Sequence, residues 1–255
     1  MARERLDKLL AAHGCGSRKE VGALVRAGRV CVDGAPQRDP GAKIDPAACA
    51  LTVDGDPLIL REQRERYFML NKPAGLLSAT EDNFQPTVLS LLPEGERRGL
   101  FPVGRLDKDT EGLLLLTDDG SLGHALTAPR RHVDKVYLAH IAGGLDADTA
   151  ARFEAGITLA DGTVCRPARF EETGAEDGLL LARITVHEGR FHQVKRMVQA
   201  VGGRVMKLKR LSMGPLTLDE YLAPGEYRPL TADELAALRA ACTPGTDNTR
   251  GHSTE

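Results

Sequence analysis

The chain has 255 residues, 42% of them hydrophobic and 27% charged, with a formal net charge of −2. That length allows one sizeable core plus a small extra domain, and the composition excludes a disordered or fibrous chain. No apolar run is long enough to cross a bilayer, and the start, MARERLDKLLAAHG, lacks an apolar signal core, so a globular cytoplasmic protein is expected.

Leu6, Leu9 and Leu10 recur at helical spacing, and Gly14 can close that helix in a left-handed conformation. Ser17-Arg18-Lys19-Glu20 reads as a capping box that opens a second helix, with Val21, Leu24 and Val25 on its apolar face. After Gly28, Val30-Cys31-Val32 followed by Asp33-Gly34 predicts a strand and a tight turn. Residues 1–43 hold nine Lys or Arg against five acids. Arg18, Lys19, Arg26 and Arg29 are therefore candidates for a phosphate backbone, although by charge alone a solvated helix face explains them equally well. Residues 58–66, LILREQRER, read as a linker.

The core resumes at Tyr67-Phe68-Met69-Leu70 and is broken by the turn chemistry of Asn71-Lys72-Pro73-Ala74-Gly75. Pro86 to Leu92 suits a short helix begun at proline. Leu113 to Leu116 form a four-leucine run closed by Thr117-Asp118-Asp119-Gly120, as in a buried strand. Just before it, Gly104 to Glu111 pack charge into a loop anchored in the core. A carboxylate at the lip of a sheet is well placed as nucleophile or base, which makes Asp107 a candidate. A solvated turn in which Asp107 braces Arg105 is the plainer reading of the same residues.

Leu122 to Leu126 suggest a helical turn stopped by Pro129, with Arg130 and Arg131 on the following loop. A strand is predicted over Lys135–Ile141, with Tyr137, Ala139 and Ile141 on one face. Beyond it a helix over Asp146–Ala155, strands from Ile157 to Phe170 around Asp161-Gly162, and a strand over Leu179–His187 are expected. A helix opening at Glu188 and running to Val201 would have Phe191, Val194, Met197, Val198 and Val201 on its apolar face. At 100° per residue Lys195 lies on the border of that face and Arg196 well outside it, free for phosphate. Residues 188–210 carry seven Lys or Arg against Glu188 alone. Strands over Val205–Leu211 and Leu216–Leu218 and a helix over Thr231–Ala241 complete the core, and the tail has the composition of a disordered segment.

Five cysteines without a C-x-x-C pair, and seven histidines without ligand spacing, predict reduced thiols and no metal site.

Gly104-Arg105-Leu106-Asp107 followed by Asp109-Thr110 and Gly112-Leu113 resembles the signature of the pseudouridine synthases. Asn71 to Gly75, Lys135-Val136-Tyr137 and Phe191-His192-Gln193-Val194-Lys195-Arg196-Met197 are similar to further motifs of that family, in family order. Arg5 to Leu10, Ser17-Arg18 and Gly28 to Gly34 resemble the small S4 RNA-binding domain that precedes one branch of it. The resemblance implies an α+β protein: a small α/β RNA-binding domain at 1–57, a linker at 58–66, a catalytic domain at 67–241 on a mostly antiparallel mixed sheet with flanking helices, and a tail at 242–255. It implies isomerisation of uridine to pseudouridine, with Asp107 as nucleophile, Tyr137 stacked on the target base and assisting proton removal, and Lys195 paired with the aspartate. Lysine stands here where several branches carry arginine, which keeps the charge but loses the bidentate fork.

Arg18, Lys19, Arg26, Arg29, Arg105, Arg130, Arg131, Arg190, His192, Gln193 and Arg196 become expected RNA contacts. Motif likeness is greatest to the small-subunit branch, which implies 16S rRNA or a small-subunit assembly intermediate as partner, uridine 516 as target, a monomer, no membrane and no cofactor. A 23S rRNA target, a non-catalytic RNA-binding assembly factor and a small-molecule lyase are the alternatives. Attack on the base at carbon 6 and on the ribose at carbon 1′ both remain open.

Overall fold

The computed structural model describes residues 3–58, 65–128 and 133–242. The chain divides into two compact units, residues 1–64 and 65–255. Arg130, Arg131, most of the expected linker and the tail beyond Cys242 lie outside the described residues.

In the first unit, β1 (Glu4–Arg5) leads into α1 (Leu6–Ala12) and α2 (Arg18–Arg26). Gly14 follows α1 at φ 94°, and α2 opens on the expected capping box. There the Ser17 hydroxyl accepts from the Glu20 amide at 3.3 Å and the Glu20 carboxylate accepts from the Ser17 amide at 2.7 Å. Strands β2 (Val30–Val32), β3 (Ala35–Pro36), β4 (Lys43–Ile44), β5 (Leu51–Val53) and β6 (Asp56–Leu58) follow. They form an antiparallel sheet in the order β3-β2-β5-β6, with β4 paired to β1. Leu6, Leu9, Leu10, Val21, Val25, Val30, Ile44 and Leu51 close one small core, which explains the helical spacing of the leucines.

The second unit contains β7 (Tyr67–Lys72), a 3₁₀ turn (Val88–Leu91), α3 (Glu94–Arg97), β8 (Phe101–Pro102), β9 (Glu111–Thr117), α4 (Gly120–Thr127) and β10 (Lys135–Ala142). Next come α5 (Thr149–Ala155), β11 (Arg169–Glu176), β12 (Leu179–Val186), α6 (Gln193–Ala200), β13 (Arg204–Met213), β14 (Leu216–Thr217), β15 (Tyr227–Pro229) and α7 (Ala232–Cys242). A nine-stranded mixed sheet runs β11-β12-β10-β13-β9-β7-β15, with β8 on β9 and β14 on β13. Among the described strands of this sheet, β9 and β13 pair in parallel, at Glu111 with Lys209 and Gly112 with Arg210, and the other pairings are antiparallel. No helix among the described residues is long and apolar enough to cross a membrane.

Four leucines in a row make sense because β9 is covered on both sides. Leu114 and Leu116 join a core with Phe153 of α5 and Val194, Met197 and Val198 of α6. Leu113 and Leu115 join another with Leu122 and Leu126 of α4 and Leu238 of α7. Each fully buried leucine contributes about 1.5–3 kcal/mol, so this strand is a rigid support for the loop before it. At its start, Gly112 has φ 99°, and a Cβ there would lie 2.3 Å from the Arg210 carbonyl oxygen. Only glycine permits that approach of β9 and β13.

Several sequence expectations are corrected. The helix expected from Glu188 begins at Gln193, because His192 sits at φ 48° in the left-handed region. Phe191, expected on the apolar face, is 76% exposed. Of the strands expected over 157–170, residues 157–168 give only a single bridge between Thr158 and Val164, and regular pairing begins at Arg169, where β11 pairs with β12 and continues to Glu176 through residues too polar to announce it.

Candidate active site

The loop between β8 and β9 carries Asp107, and its backbone is pinned on both sides of that residue. The Ser78 hydroxyl donates to the Leu106 carbonyl at 2.9 Å and accepts from the Leu106 amide at 3.1 Å. The Gly75 amide donates to the Lys108 carbonyl at 2.7 Å, and the Thr110 amide closes a turn onto the Asp107 carbonyl at 3.0 Å. Beneath the loop, fully buried Lys72 donates to the carbonyls of Pro73, Lys108 and Thr110 at 3.0, 3.2 and 2.9 Å. Burial lowers its pKa from 10.5 to about 8, although Asp109, Glu111 and Asp107 pull the other way. Asn71 and Lys72 are thus internal supports of the loop.

Tyr137 lies on the inward face of β10 with Ala139 and Ile141. Lys195 comes from α6 and reaches Asp107 Oδ2 at 3.3 Å and Asp109 Oδ1 at 2.5 Å. The Lys195 ammonium holds the Asp109 carboxyl below its ordinary value. His192 Nε2 is 3.6 Å from Asp107 Oδ1. Asp107, Tyr137, His192 and Lys195 line one cleft, walled by Leu106, Val186, Val194 and Leu208. The Asp107 side chain is 27% exposed, so the carboxylate opens onto the cleft.

The rim is tied together by residues that sequence reasoning assigned to RNA. Gln193 is buried, its amide oxygen accepts from the Arg190 amide at 3.0 Å, and its amide nitrogen donates to Glu188 at 2.8 Å. It braces the rim and has no free end for RNA. Burial pushes the Glu188 carboxyl up, but donors from Arg166, Arg190 and Gln193 outweigh it, and the group sits below its ordinary value. Arg190 pairs with Glu188 at 3.0 Å and stays exposed, as does Arg105. Arg196, expected to be free, is paired with Asp161.

In the first unit Arg18 is tied to Asp7 at 2.8 Å and Arg29 to Asp54 at 2.5 and 2.6 Å. Lys19 and Arg26 are exposed and carry no ion pair among the described residues. Sequence reasoning missed the second carboxylate, Asp109, and the two supports Lys72 and Ser78. A lysine ending a run of buried strand residues was the one available sign.

A mixed sheet presenting an acid, a lysine and a tyrosine in one cleft, joined to a separate basic helix-and-hairpin unit, defines a protein of the RNA-modifying class. The family model for RNA pseudouridylate synthases matches residues 66–200, and the S4 domain model matches residues 4–48. The chain is 50% identical over 235 residues to an uncharacterized RNA pseudouridine synthase, YtzG, of Bacillus subtilis (strain 168), covering 92% of this chain and 98% of that one. It is 43% identical to ribosomal small subunit pseudouridine synthase A of Escherichia coli (strain K12), covering 92% and 99%. A crystal structure of a pseudouridylate synthase superposes with a TM-score of 0.64 at 35% identity, covering 92% of this chain and 99% of that one. The chain belongs to the RNA pseudouridine synthase family.

Proposed function

We propose that this protein converts one uridine of small-subunit rRNA to pseudouridine, with Asp107 as the nucleophile. The observation that carries the reading is the meeting of Asp107, Tyr137 and Lys195 in one cleft, with the lysine ammonium 3.3 Å from the aspartate. The substrate class is supported by the relatives named as small-subunit synthases and by the S4 domain, with its exposed Lys19 and Arg26. Uridine 516 of 16S rRNA, presented alone or in an assembly intermediate, is the target. The enzyme acts as a cytoplasmic monomer of an RNA-binding domain at 1–57 and a catalytic domain at 67–241.

The reaction breaks the bond between C1′ and N1 of the uracil, turns the base and joins C1′ to C5, with a proton lost from C5 and one gained at N1. No electron or group donor enters the balance. The uracil must first leave its stack, and a cleft with apolar walls and one tyrosine ring suits an extruded base. Asp107 supplies the electron pair, and the Lys195 ammonium 3.3 Å away orients the carboxylate. Tyr137 stacks on the base and assists removal of the C5 proton.

Mapping pseudouridine in rRNA from cells lacking the gene tests the substrate: loss of one 16S site and no 23S site is expected, and loss of a 23S site alone refutes the target. Asp107→Asn is expected to bind RNA and make no product. Turnover at the wild-type rate eliminates the nucleophile assignment.

A further inference from the structure

We propose that the outward face of Phe191 is a stacking platform for the nucleobase adjacent to the extruded uridine, an inference that rests on the function proposed above. Phe191 leaves a large apolar ring 76% exposed, between Arg190 and His192 of the cleft lining. This ring is held in place. Its inner face lies on the His192 imidazole, with centroids 3.8 Å apart and planes 18° apart. His192 in turn lines the cleft, with its Nε2 3.6 Å from the Asp107 carboxylate.

The backbone that presents the two rings is fixed by uncommon means. His192 occupies the left-handed region at φ 48°, which a non-glycine residue holds only when its surroundings enforce it. The surroundings are the buried Gln193 amide, bonded to Arg190 and Glu188, and the Arg190–Glu188 pair. Had the helix begun at Glu188, Phe191 would fall on its buried face; the left-handed turn carries it outward instead.

Extruding a uridine leaves the neighbouring base without a stacking partner. A two-ring stack that starts beside Asp107 and ends in an open aromatic face offers a replacement at the place where that neighbour must lie. The flanking charge selects RNA over an apolar partner, since Arg190, next to Phe191 and part of the cleft lining, is exposed. Stacking of this kind tolerates any base, because every base has a π-face.

The test uses the full-length protein and a synthetic 16S rRNA fragment spanning the mapped uridine, with an abasic nucleotide placed on either flank in turn. Phe191→Ala is expected to raise Kd by about 5- to 150-fold. Phe191→Leu keeps apolar bulk without the ring and is expected to bind as poorly as the alanine variant. Phe191→Trp introduces the single tryptophan of a chain that has none, and its emission is expected to fall on RNA addition. The abasic substitution on one flank and Phe191→Ala are expected to be non-additive. Wild-type Kd for Phe191→Leu, or additive penalties on both flanks, overturns the platform. Tight binding of the fragment with no pseudouridine formed overturns the proposed function and leaves the stacking result to stand on its own.

Discussion

Replacing Lys72 with methionine removes the ammonium from beneath the Asp107 loop and keeps the length of the side chain. Two opposed changes follow. The folded pKa of about 8 lies below the ordinary 10.5, so the buried charge costs stability at neutral pH, and that cost is relieved as pH rises from about 8 towards 10.5. The gap corresponds to about 3 kcal/mol. Against it, the carbonyls of Pro73, Lys108 and Thr110 lose their donor, at about 1 kcal/mol or more each. The two nearly cancel, so the Tm of the variant at pH 7 is expected within a few degrees of wild type. Activity does not cancel. Lys108 and Thr110 flank the Asp107 turn, and a displacement of about 1 Å costs about 100-fold in rate. Tritium release from RNA labelled at uridine C5 is expected to show kcat lower by about 100-fold with RNA affinity retained. In the wild type the neutral amine above pH 8 has two hydrogens for three carbonyls, so kcat is expected to fall through that pH, a limb absent from the variant. Wild-type kcat in Lys72→Met, or an unfolded variant, refutes the reasoning.

Gly112→Ala places a Cβ against the Arg210 carbonyl at a φ of 99°, and calorimetry is expected to show a Tm drop of more than about 10 °C; Gly162→Ala, with a similar φ but open space, should lose only about 1 kcal/mol. Glu234 is held down to about 2 by the Arg228 guanidinium, so its contribution is complete above its ordinary 4.5 and is lost as pH falls through about 2. Partial exposure reduces that contribution to about 1–2 kcal/mol, and Tm values of Glu234→Gln and wild type are expected to differ at pH 7 and converge near pH 2. Lys19→Glu combined with Arg26→Glu is expected to weaken RNA binding and flatten its salt dependence by about one to two charges in filter-binding titrations, without loss of Tm.

The period-2 strand over 135–141, the capping box at Ser17 and the leucine run of β9 were legible because each is a local pattern with a local cause. Lys195 was also legible, since helical geometry placed it at the border of the face that α6 buries. What failed was partner choice across the chain. Arg196 looked free on a helical wheel, yet Asp161 reaches it from a turn 35 residues earlier. Strand β11 was missed because only Phe170 among its eight residues is buried, so an edge strand showed no alternation. Phe191 fitted the helical period by spacing, and only the left-handed His192 shows why it points away.

The Lys195 ammonium lies nearer to Asp109 than to Asp107, which bears on why lysine serves at this position. A guanidinium fork matches one carboxylate with two parallel bonds. An ammonium offers three donors in separate directions and can serve two acids at once. Here the 2.5 Å contact goes to Asp109, which is 74% exposed, and the 3.3 Å contact to Asp107, which faces the cleft. If Asp107 is to attack, an oxygen locked in a short ion pair would have to break that bond first. Holding the cation on the outer carboxylate keeps it 3.3 Å from the inner one and leaves the attacking oxygen lightly bound.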